Sequence, residues 1–178
     1  MTKEEIRKTI QTQRLNLLKT EREEKSKLIV QKIIELSDFQ ESKNILIYYP
    51  IQNEVSLLEL FKKEKQNKNF FLPTIRNNKI EINRFTNLET ILTGKYKIPE
   101  SEKETTNKET IDLCLIPAIA FDKEKNRIGF GKGYYDQFLK TLNTKKIGIA
   151  YDFQIVQKIP THIHDVRMDK IITESCVI

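Results

Sequence analysis

Apolar Ile6, Ile10, Leu15 and Leu18 recur at helical spacing among charged residues over positions 3–20, and Leu28, Ile29, Ile33, Ile34 and Leu36 do so over 21–37. A turn of 3.6 residues gathers such positions on one face, so the pattern predicts two amphipathic helices. The continuous apolar run at 45–49, closed by Pro50, predicts a buried strand. Ser56 is placed to N-cap a helix carrying Leu57, Leu58, Leu60 and Phe61. A second strand is predicted at 69–72, stopped by Pro73. Alternation of apolar and polar residues at 80–85 reads as a half-exposed strand, whereas 100–110 is polar, aperiodic and expected to be a mobile surface loop. Residues 112–117 form another apolar run. Tyr135, Phe138, Leu139 and Leu142 predict a helix over 134–142, and 146–150 predicts one more strand.

Strands and helices alternating at these lengths predict an α/β fold. The expected form is an open, mostly parallel sheet flanked by helices, a Rossmann-like three-layer sandwich with right-handed crossovers. No internal repeat or linker divides the sequence, so residues 1–178 are expected to form one domain. A chain of this length buries roughly 70% of its unfolded surface without disulfides or metals. Ligands of such sheets sit beyond the carboxyl ends of the strands.

Composition narrows the function classes. The net charge of +6 comes from 31 basic against 25 acidic residues, but the basic residues are interspersed with glutamates along the predicted helices, which is the pattern of a solvated face. No arginine-rich arm or recognition-helix pattern points to nucleic acid. Cys114 lies in an apolar run and Cys176 near the C-terminus, with neither metal-ligand nor disulfide spacing. The N-terminus lacks the apolar core of a signal peptide, and no stretch approaches the ~20 apolar residues of a membrane span. A reduced, cytoplasmic protein without a membrane partner is expected.

The segment with the most chemistry is Arg127-Ile-Gly-Phe-Gly-Lys-Gly-Tyr-Tyr-Asp136, which holds three of the five glycines. Glycine is favoured where φ must be positive or where a backbone must approach a ligand closely. Gly129, Gly131 and Gly133 thus describe a run of bare N–H groups, and Arg127 and Lys132 add positive charge suited to phosphate. The string is neither a P-loop, which needs a hydroxyl after the lysine and wider glycine spacing, nor the dinucleotide fingerprint. Taken alone, a Gly-x-Gly loop is more often a tight turn than a nucleotide site.

With its flanking residues, the string strongly resembles the signature of the 5-formyltetrahydrofolate cyclo-ligase family, also called methenyltetrahydrofolate synthetase. The resemblance spans nearly the whole chain: Lys3-x-x-x-Arg7 in the first helix, a segment from Tyr49 to Glu54, Tyr96-Lys-Ile-Pro99, and His164-Asp165. It implies ATP-dependent closure of 5-formyltetrahydrofolate to 5,10-methenyltetrahydrofolate, with release of ADP and phosphate and a requirement for Mg2+. It also implies phosphorylation of the formyl oxygen before N10 attacks.

The resemblance assigns roles residue by residue. Lys3 and Arg7 match nucleotide contacts; Arg127, Gly129, Gly131, Lys132, Gly133, Tyr134 and Tyr135 match the residues around ATP. Tyr49, Glu54, Tyr96 and Phe130 match folate contacts, a set that shares Gly131, Lys132, Gly133 and Tyr134 with the nucleotide. Arg127, Lys132 and Tyr134 are the catalytic candidates, and Asp136 and Asp165 the metal ligands. Many relatives carry tryptophan where this chain has Tyr96, and this chain has no tryptophan. A tyrosine ring still stacks on a pterin.

Read without the family, Lys3 and Arg7 are ordinary solvated charge, Tyr49 is strand-end packing, Asp136 is the early acidic residue of a helix, and His164 is a surface histidine. Two other functions fit parts of the sequence. One is a kinase or ligase using the same loop on another small acid. The other is a nucleotide- or RNA-binding module, motivated by the net charge and by Lys62-Lys63-Glu64-Lys65. The expectation carried forward is a monomeric, folate-specific enzyme without a nucleic-acid partner.

Overall fold

A computed structural model describes residues 1–88, 92–93, 99–100, 106–163 and 165–178. The first half runs α1 (Lys3–Leu15), α2 (Lys19–Glu35), α3 (Ser37–Glu41), β1 (Asn44–Leu46), α4 (Leu58–Glu64), β2 (Asn69–Arg76), β3 (Lys79–Phe85), β4 (Leu92–Thr93) and β5 (Pro99–Glu100). The second runs β6 (Leu113–Pro117), β7 (Ala120–Asp122), β8 (Arg127–Ile128), α5 (Tyr134–Leu139), β9 (Lys145–Ile149), β10 (Ile155–Val156) and β11 (Lys170–Ile172). Among the described residues, the main sheet has six strands in the order β11-β9-β6-β1-β2-β3. Every neighbouring pair in it is parallel except β2 with β3.

The expected open, mostly parallel sheet flanked by helices is present, and its strands alternate faces as the pleat requires. Leu113, Leu115, Ile147 and Ile149 pack with Ile29, Ile33 and Phe61 of α2 and α4 on one face. Cys114 and Ile116 pack with Phe138 and Leu139 of α5 on the other. Both faces are therefore buried, which explains why these strands read as continuous apolar runs.

Several boundaries differ from the sequence reading. β2 passes through Pro73, which pairs with Ile82 of β3. Its neighbour β1 ends at Leu46, opposite Phe71, so beyond that point β2 faces β3 alone and a residue without an N–H is tolerated. α4 begins after Leu57 with no side-chain cap; the Ser56 N–H instead donates to the Ser26 hydroxyl at 3.1 Å. α5 ends at Leu139, short of Leu142. Leu15, Leu18 and Leu28 are 58%, 69% and 54% exposed, whereas Arg14 is 1% exposed. The buried stripe of α1 follows Ile6, Ile10 and Arg14.

A second sheet, β10-β7-β8, was not foreseen from strands of two or three residues. It gives α1 its seat: Ile6 and Ile10 pack with Ile119, Ala120, Ile128 and Ile159. That docking carries the N-terminal helix to the strand from which the glycine loop emerges. The polar stretch expected to be a mobile loop includes a 3-10 turn at Lys108–Thr110, capped by the Asn107 side chain; residues 101–105 lie outside the described set. Both cysteines are free, Cys114 buried and Cys176 exposed, and burial pushes the Cys114 thiol up to about 12. No helix among the described residues is long and apolar enough to cross a membrane.

Candidate active site

A cavity of about 570 Å³ opens beyond the carboxyl ends of β1, β2 and β6. Tyr48, Tyr49, Ile51 and Glu54 reach it from the segment after β1, Pro73 and Ile75 from β2, Ile80 from β3, and Pro117 from the end of β6. Lys3 and Arg7 enter from α1, residues 127–136 form one wall, and His162 and Asp165 enter from the segment before β11.

Local conformation explains how the loop wall is built. Arg127 and Ile128 pair with β7, so the loop starts from a fixed strand. Its peptide then turns at Gly131 (φ +94°) and Gly133 (φ +69°), values a side chain rarely adopts, and the second glycine leads into α5. Arg7 Nε donates to the Gly129 carbonyl at 2.9 Å, and a Cβ at Gly131 would lie 3.6 Å from the Arg7 guanidinium. α1 thus braces the loop through the arginine one turn from Lys3. Phe130, 45% exposed, projects at the loop's tip.

Two close ion pairs lie on the cavity wall. Arg127 Nη2 donates to Asp136 Oδ1 at 2.7 Å, and the guanidinium lies 5.5 Å from the Tyr135 ring centroid. Arg127 Nε is buried with no hydrogen-bond partner among the described residues. Lys3 Nζ donates to Asp165 Oδ2 at 2.7 Å, an oxygen that also accepts from the His162 N–H. The Val166 N–H approaches Asp136 Oδ1 at 3.4 Å, which brings the segment carrying Asp165 against α5. Tyr134 Oη donates to Asn78 Oδ1 at 3.1 Å and ties α5 to the β2–β3 hairpin.

Glu54 stands apart electrostatically. It is 6% exposed, and burial pushes its carboxyl up to about 7, although the Arg14 charge and the Ile51 N–H both act to lower it. Burial likewise holds the Tyr48 and Tyr135 hydroxyls above their ordinary values. Tyr48 Oη donates to the Val55 carbonyl at 2.8 Å.

The structure brings together Lys3, Arg7, Tyr49, Glu54, Arg127, Gly129, Phe130, Gly131, Lys132, Gly133, Tyr134, Tyr135, Asp136 and Asp165 around this one cavity. Tyr96 and His164 lie outside the described residues. Sequence reading missed Arg14, although its spacing of eight from Ile6 and four from Ile10 puts it on the inward stripe. It also missed Asn78 and the apolar wall of Pro73, Ile75 and Ile80, which depend on the hairpin's approach to α5, and Pro117 at the end of β6.

The donor set can be tested against a divalent ion. Among the described residues no three His, Cys, Asp or Glu side chains converge to hold a metal. Magnesium needs less: one or two carboxylates, with phosphate oxygens and water completing an octahedron. Asp136 and Asp165 fit that requirement, since their described contacts use only Oδ1 and Oδ2, respectively.

A model of the 5-formyltetrahydrofolate cyclo-ligase family matches residues 1–174. The 5-formyltetrahydrofolate cyclo-ligase of Mus musculus is 32% identical over 181 aligned positions, covering 92% of this chain and 89% of the mouse protein. The solved structure of Aquifex aeolicus 5,10-methenyltetrahydrofolate synthetase aligns with a TM-score of 0.90 and 36% identity, covering 99% of this chain and 92% of that one. That of the Mycoplasma pneumoniae synthetase aligns at 0.83 and 32%, covering 98% and 99%.

Proposed function

The chain belongs to the 5-formyltetrahydrofolate cyclo-ligase family and is a ligase, and we propose that it closes 5-formyltetrahydrofolate to 5,10-methenyltetrahydrofolate at the expense of ATP. The observation that carries this reading is the single cavity in which the α1 cations, the glycine loop, Asp136, Asp165, Tyr49 and Glu54 all meet. Its lining combines cations and the glycine-loop backbone, suited to phosphates, with apolar Pro73, Ile75 and Ile80.

The formyl oxygen of an N-formyl amide is a poor leaving group, so the reaction first has to activate it. On this reading that oxygen attacks the γ-phosphorus and ADP departs. N10 then adds to the formyl carbon, the phosphorylated oxygen leaves as phosphate, and the N10 proton is lost. Charge accumulates on phosphoryl oxygens, so positioned cations and N–H groups supply most of the stabilisation.

Lys3, Arg7, Arg127 and Lys132 are the cations for that work, with the amides from Gly129 to Gly133 approaching the phosphates. Tyr134 and Tyr135 flank the nucleotide. Tyr49 and Phe130 offer ring faces to the folate, and Glu54 accepts from the donor face of the pterin. Tyr96, placed among the folate contacts by the resemblance to the family, completes the proposed set. Asp136 and Asp165 would hold Mg2+, which when bound neutralises charge between the phosphate groups. Residues 1–178 act as one domain, as a cytoplasmic monomer without a nucleic-acid partner.

The test is direct. Purified protein with ATP, Mg2+ and 5-formyltetrahydrofolate should develop the near-ultraviolet absorbance of the methenyl product. Well-folded protein that produces none of it would refute the assignment, and turnover of ATP with another small acid in its place would favour a different ligase or kinase.

A further inference from the structure

Arg14 closes the buried stripe of α1, two turns beyond Ile6. It is 1% exposed, yet its guanidinium makes a single described hydrogen bond, a long one of 3.4 Å from Nη1 to the Ala118 carbonyl. Nε and Nη2 are buried with no partner among the described residues. The nearest acid is Glu54, whose Oε1 lies 3.8 Å from Nη1. Glu54 is held from the other side, where Oε2 accepts from the Ile51 N–H at 3.0 Å. Its Oε1 has no hydrogen-bond partner among the described residues. Glu54 lines the large cavity, whereas Arg14 does not.

This is a poor design for a purely structural ion pair. Burying two charges stabilises a fold only when the geometry is tight and the remaining donors and acceptors are satisfied, and apolar residues in their place often do as well or better. Here the pair stands beyond hydrogen-bond distance with groups unmet on both partners. Buried polar groups left unsatisfied call for a reason, and a buried carboxylate short of partners, on a residue that lines the cavity, has one: a ligand donor completes it.

We infer that Arg14 is a positioning residue for this reaction, holding Glu54 oriented so that its carboxylate can accept from the folate substrate. The inference rests on the proposed folate role of Glu54. Burial, Arg14 from α1 and the Ile51 N–H bias the carboxylate, and the Tyr48 and Tyr135 hydroxyls near it, raised by burial and by the Glu54 charge, stay neutral. Lys19, Arg22 and Glu23 lie across a smaller cavity of about 250 Å³ that Glu54 also lines. Burial raises the Glu54 carboxyl to about 7 and Arg14 acts against that rise. Loss of the arginine therefore moves the carboxyl upward and favours its protonated form at neutral pH.

The experiment compares wild type, E54Q, R14M, R14K and the double variant R14M/E54Q, varying folate and ATP separately from pH 6 to 9, with thermal unfolding as a check on folding. R14M should raise the folate KM at pH 7 by about tenfold or more, a shift typical of one lost charge-assisted contact. Its acid limb should move to higher pH, and the ATP KM should stay within about twofold of wild type. R14K should fall between R14M and wild type. In the double variant the folate KM should be no worse than in E54Q, because Arg14 acts through Glu54. If R14M does not fold, R14K and the comparison of the double variant with E54Q still decide. Folded Arg14 variants with a wild-type folate KM and acid limb, beside an impaired E54Q, would overturn the inference, as would additive losses in the double variant. A wild-type folate KM in E54Q is a different failure: it removes the folate contact itself, and the role of Arg14 with it.

Discussion

Lys3 Nζ donates to Asp165 Oδ2 at 2.7 Å across 162 positions of sequence, linking the first helix to the last segment of the cavity wall. Both side chains are 19% exposed. Although burial acts in the other direction, the Lys3 and His162 hydrogen bonds hold the Asp165 carboxyl below its ordinary value. A depressed carboxyl contributes stability above its unfolded value of about 3.9, and that contribution is lost as pH falls through the folded value. At pH 7, K3A should cost less than about 1 kcal/mol of stability, because a partly exposed pair is screened by solvent. Its ATP KM should rise about tenfold, equivalent to about 1.4 kcal/mol. Loss of stability with an unchanged ATP KM would make Lys3 structural only.

Lys132 and Asp136 separate phosphate contact from metal contact. Removing a cation aimed at developing charge typically costs 10²-fold or more, so K132A should lower kcat/KM for ATP by about that factor. D136N should shift the Mg2+ dependence to higher concentration while the folate KM stays near wild type. Wild-type magnesium titrations and ATP kinetics in both variants would move the phosphate site elsewhere.

The loop glycines should not behave alike. A side chain at Gly133 meets no heavy atom within 4 Å, so G133A should express mainly the cost of a positive φ, roughly 1–2 kcal/mol in thermal unfolding. At Gly129 a Cβ would come within 3.2 Å of Arg127 Nη1, and G129A should therefore impair ATP use through displacement of that guanidinium. Gly148 is remote from the chemistry, but its Cβ would lie 2.6 Å from the buried Phe121 ring. G148A should destabilise by about 1–3 kcal/mol or more through overpacking. Equal effects of G129A and G133A on ATP kinetics would refute the distinction.

The pH dependence of folate binding follows from Glu54. A carboxyl raised to about 7 by burial is progressively protonated below that pH and ceases to be an acceptor on both oxygens. The folate KM of the wild type should rise as pH falls from 8 to 6, while the ATP KM follows a different profile. A flat folate KM over that range would show that the ionised carboxyl is not what the pterin meets.

The central strands were legible because both sheet faces are covered, which turns each strand into an apolar run that periodicity detects. The glycine loop was legible for a related reason, since three alternating glycines beside two cations serve no ordinary element. The strand end at Pro73 and the helix N-cap at Ser56 misled because a proline or serine has a local preference that an edge position or a distant partner, here β3 and Ser26, can override. The small β10-β7-β8 sheet has strands too short to carry a period of two.

From sequence alone came the alternation of strands and helices and the concentration of phosphate-binding chemistry in residues 127–136, because those signals are local. What required the tertiary structure was which distant residues share the cavity. α1 docks on the small sheet through Ile6 and Ile10, and only that docking carries Lys3 to Asp165, Arg7 to the Gly129 carbonyl, and Arg14 to Glu54. Leu15 and Leu18 looked like the inward face of that helix, yet they are exposed and Arg14 is buried. Hydrophobic pattern predicts which residues can leave water; the packing partner decides which residues do.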